Sequence, residues 1–300
     1  MSRIAYVNGR YVPHGDAAVH IEDRGYQFAD GVYEVFGVQH GRLLGEQGHM
    51  DRLEYSLDAL AIDWPVTKKA LRFIIDEVVR RNLVKNGIVY MQITRGAAPR
   101  NHAYPTDAEP ALVVTARKSK PFDEFDFDAG LGVITIPDIR WKRKDIKSVS
   151  LLPNVMGKQQ AVDAGCYEAW QVDTDGFVTE GIATNAWIVT KSGELVTRQA
   201  TTSILNGITR LTMLDFIGDL DIKLVERPFT VAEALDAAEA FLSSSNSPIR
   251  GITHIDGQTI GDGTVGPVTR QLIEALLACY DRAADAGVHH PLGEGVEGVA

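Results

Sequence analysis

The sequence predicts an α+β protein of two domains, a small N-terminal one and a larger C-terminal α/β one. Three observations carry that prediction. The chain has 300 residues, and domains run at roughly 150 residues each. Short β-rich runs joined by tight turns are mixed with segments whose apolar residues recur at helical spacing. Periodicity is then lost over 118–127 (KSKPFDEFDF), a Pro-containing acidic-aromatic stretch that reads as a linker. The expected division is 1–117, the linker 118–127, a second domain over 128–286, and a remainder of 287–300.

The opening reads as a hairpin: Ile4-Ala5-Tyr6-Val7, an Asn8-Gly9 turn, then Arg10-Tyr11-Val12. Asn-Gly suits the positive φ angles of a two-residue turn. Gly31–Val38 is strand-like, with Val32, Glu34, Phe36 and Val38 on one face and Tyr33 and Val35 on the other. His49–Leu60 and Lys68–Asn82 carry helical spacing, and Ile88–Thr94 and Ala111–Ala116 are β-rich, so antiparallel sheet and helices mix in this first part. Beyond the linker, strands are expected at Leu131–Ile136, Glu168–Val172, Ala186–Val189 and Glu239–Ser243, with Asp175-Gly176 and Ser192-Gly193 as hairpin turns. Helices are expected at Asn154–Ala164, Gly207–Gly218, Val231–Asp236 and Gly266–Ala284. Gly287–Ala300 is Gly-rich, Pro-containing and acidic, and reads as a disordered tail.

Thirty Lys and Arg against forty Asp and Glu leave a net charge of -10, which argues against nucleic acid or an anionic membrane as partner. A small anion remains possible, because one local basic cluster can hold it. Two cysteines, Cys166 and Cys279, are too few for a disulfide framework or a four-thiolate metal site. The N-terminus turns polar too early for a secretory signal, and no apolar run approaches the ~18–20 residues of a membrane span. A soluble, reduced, cytoplasmic protein without a metal is the expectation.

Gly261-Asp262-Gly263-Thr264-Val265-Gly266 fits G-x-G-x-x-G, but too little chain follows for the second strand and acid of a dinucleotide site, so it reads as a turn. Lys147 follows Arg140, Lys142, Arg143 and Lys144. On composition that run is a solvated basic face. Its apolar flank of Ile146, Val149, Leu151 and Leu152 suggests instead that part of it enters the core. Burial or neighbouring cations make a lysine amine nucleophilic, hence a Schiff-base candidate. Glu180, after a β-run and before Gly181, is turn chemistry when taken alone. Gly207-Ile208-Thr209 opens a helix whose free amides could hold a phosphate. The serine run Ser243-Ser244-Ser245-Asn246-Ser247 could add hydroxyls or be only a polar loop.

Taken together these segments resemble the class IV (fold-type IV) pyridoxal-phosphate-dependent aminotransferases. Glu180, Asn185, Leu195-Val196-Thr197 and Leu205-Asn206-Gly207-Ile208-Thr209-Arg210 follow the family's compound signature in order, and Lys147-Ser148 with Leu151-Leu152 resembles its lysine segment. Glu22–Phe28, Asp30–Val35 and Thr94–His102 are similar to the D-amino-acid transaminase branch in particular. Trp187 stands where the signature has Phe or Tyr.

The resemblance implies a two-domain fold-type IV enzyme and a set of roles. Lys147 would carry pyridoxal 5'-phosphate as a Schiff base and shuttle the substrate proton, and Glu180 would pair with the pyridine nitrogen. Arg52, Ile208, Thr209 and Ser245 would hold the phosphate, Leu205 would pack on the ring, and Arg140 would sit near its phenolic oxygen. Tyr33, Arg100 and His102 would trap the substrate carboxylate, the last two reaching into a neighbouring subunit's site, so a homodimer is implied. The activity implied is ping-pong transfer from a D-amino acid (D-alanine or D-glutamate type) to a 2-oxo acid such as 2-oxoglutarate. A branched-chain L-amino-acid or R-amine transaminase and an aminodeoxychorismate lyase are the alternatives within the family. A non-enzymatic anion-binding protein is the alternative outside it.

Overall fold

The computed structural model describes residues 3–286, with side chains through residue 282; the expected disordered tail, 287–300, lies outside the described residues. Asn8 and Gly9 take φ of 43° and 88°, which folds β1 (Ile4–Val7) straight back on β2 (Arg10–Pro13), Val7 opposite Arg10. With β3 (Gly31–Gln39), β4 (Arg42–Leu43), β5 (Gly87–Thr94) and β6 (Ala111–Lys118) they form a six-stranded sheet. Its order is β2-β1-β6-β5-β3-β4, antiparallel at every pair. A short helix, α1 (Arg24–Phe28), precedes β3 and is too brief to leave a periodic signal.

Helices α2 (Glu46–Ala59) and α3 (Lys68–Arg81) cover this sheet. In α3 the buried residues Leu71, Ile74, Ile75, Val78 and Val79 make one stripe, and Thr67 caps its start by accepting from Ala70 N at 3.2 Å. Leu53, Leu57, Leu71 and Ile75 meet Val32, Phe36, Val89 and Met91 in one core, where each buried aliphatic side chain is worth roughly 1.5–3 kcal/mol.

The second sheet comprises β7 (Leu131–Pro137), β8 (Glu168–Val172), β9 (Val178–Gly181), β10 (Asn185–Val189), β11 (Leu195–Thr197), β12 (Leu224–Glu226), β13 (Glu239–Ser243) and β14 (Ile249–Ile255). Their order is β12-β11-β10-β13-β14-β7-β8-β9, with β15 (Gln258–Thr259) paired to β14. Pairing is mixed, parallel at β11/β12, β14/β7 and β7/β8. Gly176 and Gly193, at φ 85° and 84°, make the two expected hairpin turns. The central strands are buried on both faces, which is why they read as unbroken apolar runs. In β10, Ala186 and Ile188 face a core holding Trp170 and Phe229, while Trp187 and Val189 face α5 (Ile208–Ile217) and α7 (Pro267–Ala286). The helices α4 (Leu152–Asp163) and α6 (Val231–Leu235) complete the set.

The strands that the sequence pattern does not mark have particular causes. β11 and β12 are only three residues long. β14 is interrupted by Gly251, where a Cβ would stand 2.6 Å from Val265 Cγ2. The Gly261–Gly266 segment is a turn: Gly261 and Gly263 have positive φ. The helix start it leads to is taken by Glu239, which accepts from Val268 N (3.0 Å) and Thr269 N (2.7 Å). Within 118–127, Phe122 is buried, its ring 6.1 Å from that of Tyr280 on α7.

Candidate active site

The chain between β7 and α4 runs beside the start of β3. Tyr33 N donates to the Lys147 carbonyl and Val149 N to the Gly31 carbonyl, both at 3.0 Å. Lys147 N donates to Ser56 Oγ of α2 at 3.2 Å, and Ser56, Ile146 and Ser148 are buried. The lysine is thus rooted in the core while its Nζ stands 4.2 Å from the centre of the Tyr33 ring. The basic run before it is divided by carboxylates. Arg140 and Lys144 turn onto Asp138 at 2.8 and 2.9 Å, and Arg143 pairs with Asp145 at 2.8 Å. Leu152 does not enter the core as its apolar character suggests; it is 69% exposed, because it opens the outward face of α4.

A cavity of about 160 Å³ lies between the two sheets' loops, and Tyr33, Arg52, Arg140, Lys147, Glu180, Leu205, Ile208, Thr209 and Ser245 all line it. Arg100 and His102 do not. They sit on the exposed loop after β5, both against Phe28, at 4.6 Å and 5.2 Å from its ring centre.

Glu180 lies in β9, one residue before its end, and is buried. One of its oxygens accepts from Arg140 Nη1 at 2.5 Å, Leu205 N donates to both at 3.1–3.2 Å, and Asn185 Nδ2 approaches at 3.3 Å. Burial pushes its carboxyl above the usual carboxylate range, against the opposing pull of Arg140. Burial would also lower the Arg140 guanidinium, but Glu180 and Asp138 outweigh it and hold it above its ordinary value. Asp138 is buried too, yet Arg140, Lys144 and Thr179 keep it well below the usual range. Arg140, implied to lie near a phenolic oxygen, therefore gives Nη1 to Glu180 and Nε and Nη2 to Asp138.

Arg52, on α2, is gripped from behind. Its Nε and Nη2 donate bidentately to Glu34 at 2.8 Å each, and Nη1 donates to the Asn206 carbonyl at 2.9 Å. Glu34, fully buried on β3, is also 2.7 Å from His49 Nδ1. Burial opposes its charge, but Arg52 and His49 together hold it well below the carboxylate range. Burial pushes His49 below its ordinary value, only partly countered by Glu34, so its Nδ1–H faces Glu34 and Nε2 faces Ser245 Oγ at 3.4 Å. Beside them α5 begins at Gly207 with no side-chain cap, leaving its amides and dipole to an anion. A Cβ at Gly207 would stand 2.1 Å from Asn185 Oδ1. Trp187 does not face the cavity; it stacks on Phe241 (5.5 Å, 11°) and donates from Nε1 to Ser243 Oγ at 2.9 Å.

This donor set fits pyridoxal 5'-phosphate. An arginine, an uncapped helix start and serine hydroxyls suit a phosphate; a buried carboxylate suits a pyridinium; an amine suits the aldehyde carbon. Thr184 Oγ1, buried in the cavity wall without a hydrogen-bond partner, is a further polar atom left for a ligand. Glu34, His49, Ser56, Asp138 and Asn185 were not singled out as site residues in the sequence. The visible signal was Glu34 itself, a charge on the apolar face of a strand beside Val32 and Phe36.

Comparison with known proteins agrees. The family model for amino-transferase class IV matches residues 31–255. The chain is 39% identical to a D-alanine aminotransferase of Staphylococcus haemolyticus over 273 residues, 90% of this chain and 95% of that one. It is 41% identical to a D-alanine aminotransferase of Bacillus licheniformis over 270 residues, 90% and 94% of the two chains. Among solved structures, a T.th. branched-chain amino acid aminotransferase with pyridoxamine 5'-phosphate superposes with a TM-score of 0.85 at 24% identity, covering 97% of this chain and 96% of that one. At that identity the likeness speaks for the fold. The chain belongs to the class IV aminotransferases, which are pyridoxal-phosphate-dependent.

Proposed function

We propose that this transaminase acts on D-amino acids of the D-alanine or D-glutamate type, passing the amino group to a 2-oxo acid such as 2-oxoglutarate in a ping-pong cycle. The observation that carries the reading is the meeting of Lys147, Glu180 and an anion cup in one cavity, on a chain similar to D-alanine aminotransferases over nine-tenths of its length. When bound, pyridoxal phosphate supplies an electron-poor ring that accepts the charge left as an α-proton departs.

The chain's own groups do the rest. Lys147 Nζ would hold the cofactor between turnovers and carry the proton taken from substrate Cα. Glu180 would keep a proton on the ring nitrogen, with Arg140 keeping Glu180 in place. Arg52, with the α5 amides at Ile208 and Thr209 and the Ser245 hydroxyl, would hold the phosphate. Leu205, in the cavity wall, would lie against the ring. Tyr33, Arg100 and His102 grip the substrate carboxylate, which fixes the face of Cα turned to Lys147 and so the enantiomer.

The enzyme works as a homodimer in the cytoplasm. Arg100 and His102 do not line their own chain's cavity, which suits a site completed by a second copy. Leu152, Val155 and Met156 form an apolar stripe along α4, 69%, 62% and 48% exposed, of the kind that subunit contacts cover. No disulfide occurs among the described residues, and no helix among them is long and apolar enough to cross a membrane.

Single-turnover spectra with D-alanine, D-glutamate, L-leucine and L-valine test the assignment. The D-enantiomers should convert the bound cofactor to its amine form much faster. Faster conversion by L-leucine or L-valine than by any D-amino acid would give the branched-chain alternative instead.

A further inference from the structure

A second ionic centre lies outside the cavity, and it grips the loop that bears Arg100 and His102. Arg24, in α1, is 3% exposed. Its Nη1 donates to the Asn101 carbonyl at 2.6 Å and its Nη2 to the His102 carbonyl at 3.5 Å, while its Nε donates to Asp30 at 2.7 Å. Asp30 is shared with Arg95, 6% exposed, whose Nε and Nη2 donate to it at 2.8 and 3.1 Å. Arg95 is fixed in turn by the Leu60 and Ala61 carbonyls at 2.6 and 2.7 Å. The Phe28 ring completes the arrangement, with Arg24, Arg100 and His102 stationed around it at 4.8, 4.6 and 5.2 Å.

Two buried arginines on one carboxylate are costly unless each makes further hydrogen bonds. Here Arg24 spends its further bonds on the Asn101 and His102 carbonyls, within the loop itself, and Arg95 spends its own on the Leu60 and Ala61 carbonyls after α2. Asp30 also stands just before Gly31, where β3 begins, and its own carbonyl accepts from Arg95 N at 3.1 Å. One centre therefore ties the loop of Arg100 and His102 to the strand that carries Tyr33.

We infer that Arg24 is a positioning residue for substrate recognition: through the Asn101 and His102 carbonyls and the Phe28 ring it holds Arg100 and His102 where they can meet a substrate carboxylate. This rests on the reading of Arg100 and His102 given above. Arg24 itself touches neither substrate nor cofactor. Lysine cannot replace it, since one ammonium cannot span Asp30 and the two carbonyls in a planar fork.

The test is a double-mutant cycle on the cofactor-loaded full-length enzyme, read as the second-order rate constant of the half-reaction with D-alanine. Arg24→Met should lower that constant tenfold or more, mainly through weaker D-alanine binding, with bound-cofactor absorbance unchanged. In an Arg100→Ala/His102→Ala background the same change should cost less than threefold, because the groups it positions are gone. A loss under twofold in the wild-type background overturns the inference, as does a loss that multiplies in full in the background. Should Arg24→Met not accumulate as folded protein, Arg24→Lys is read by the same criteria. If Arg100→Ala/His102→Ala alone retains the wild-type rate constant, the carboxylate reading itself has failed, an outcome distinct from failure of Arg24.

Discussion

At the scale of single residues, the proposed chemistry turns on two side chains held by different means. Lys147 is rooted by backbone bonds to Tyr33 and Ser56, so truncating it should remove the amine and little else. Lys147→Ala is expected to lose covalently held cofactor and nearly all transamination while thermal unfolding stays close to wild type. Borohydride reduction and peptide mapping check this, and cofactor found on Lys144 or Lys158 would refute it. Glu180 sits against Arg140 at 2.5 Å in a buried site. Glu180→Gln keeps the shape but removes the charge proposed to face the ring nitrogen. Turnover should fall by about two orders of magnitude, ~3 kcal/mol in the barrier, with cofactor still bound. A near-normal rate would reduce Glu180 to the turn residue that its local sequence alone suggests.

At the scale of elements, the proposed phosphate cup is assembled from a face of α2, the start of α5 and the loop that carries Ser245. The Gly207 that opens α5 has an ordinary φ of -67°, so its role is space rather than conformation. Gly207→Ala should push Asn185 away from Glu180 and Leu205 and weaken cofactor binding tenfold or more, measured by absorbance titration of the stripped enzyme. The β3–α2 contact is electrostatic at its centre. Glu34 is fully buried between Arg52 and His49, and Glu34→Gln breaks a buried pair at a cost of about 3 kcal/mol. Because its folded pKa is depressed, the stability that Glu34 contributes is complete above its ordinary value of 4.5 and is lost as pH falls toward the folded value. Urea unfolding should therefore show wild type and Glu34→Gln well separated at pH 7 and drawing together between pH ~4.5 and ~2. A gap that is constant with pH would mean that Glu34 acts by shape alone.

At the scale of the whole molecule, the proposed site is divided between what a chain holds within its own cavity and what its loop of Arg100 would supply. Arg100 is exposed on a loop and stacked on Phe28, and an arginine so placed can pair bidentately with a carboxylate. Arg100→Ala should weaken the half-reaction with D-alanine by roughly 2–4 kcal/mol if that pair forms out of contact with water. An R-configured amine lacking the carboxylate should be nearly indifferent to the change. Equal losses for the two substrates would show that Arg100 supports the fold instead.

The sequence by itself determined what depends on local geometry and on ordered motifs. The Asn8-Gly9 hairpin, the apolar stripe of α3, the alternating face of β3 and the lysine and glutamate segments are each written in neighbouring residues, so they could be read directly. Even the burial of Glu34 was foreshadowed by its place between Val32 and Phe36. The tertiary structure alone decided which charges meet. Asp138 and Glu180 stand far apart in the chain yet share Arg140, and Glu34 and Arg52 come together only because β3 packs on α2. It likewise turned Leu152 outward and Trp187 away from the cavity, and set Arg24 beneath the loop of Arg100. The physical reason is that a side chain's partner is chosen by packing across elements, where burial makes an unpaired charge costly, and no local pattern of residues encodes that choice.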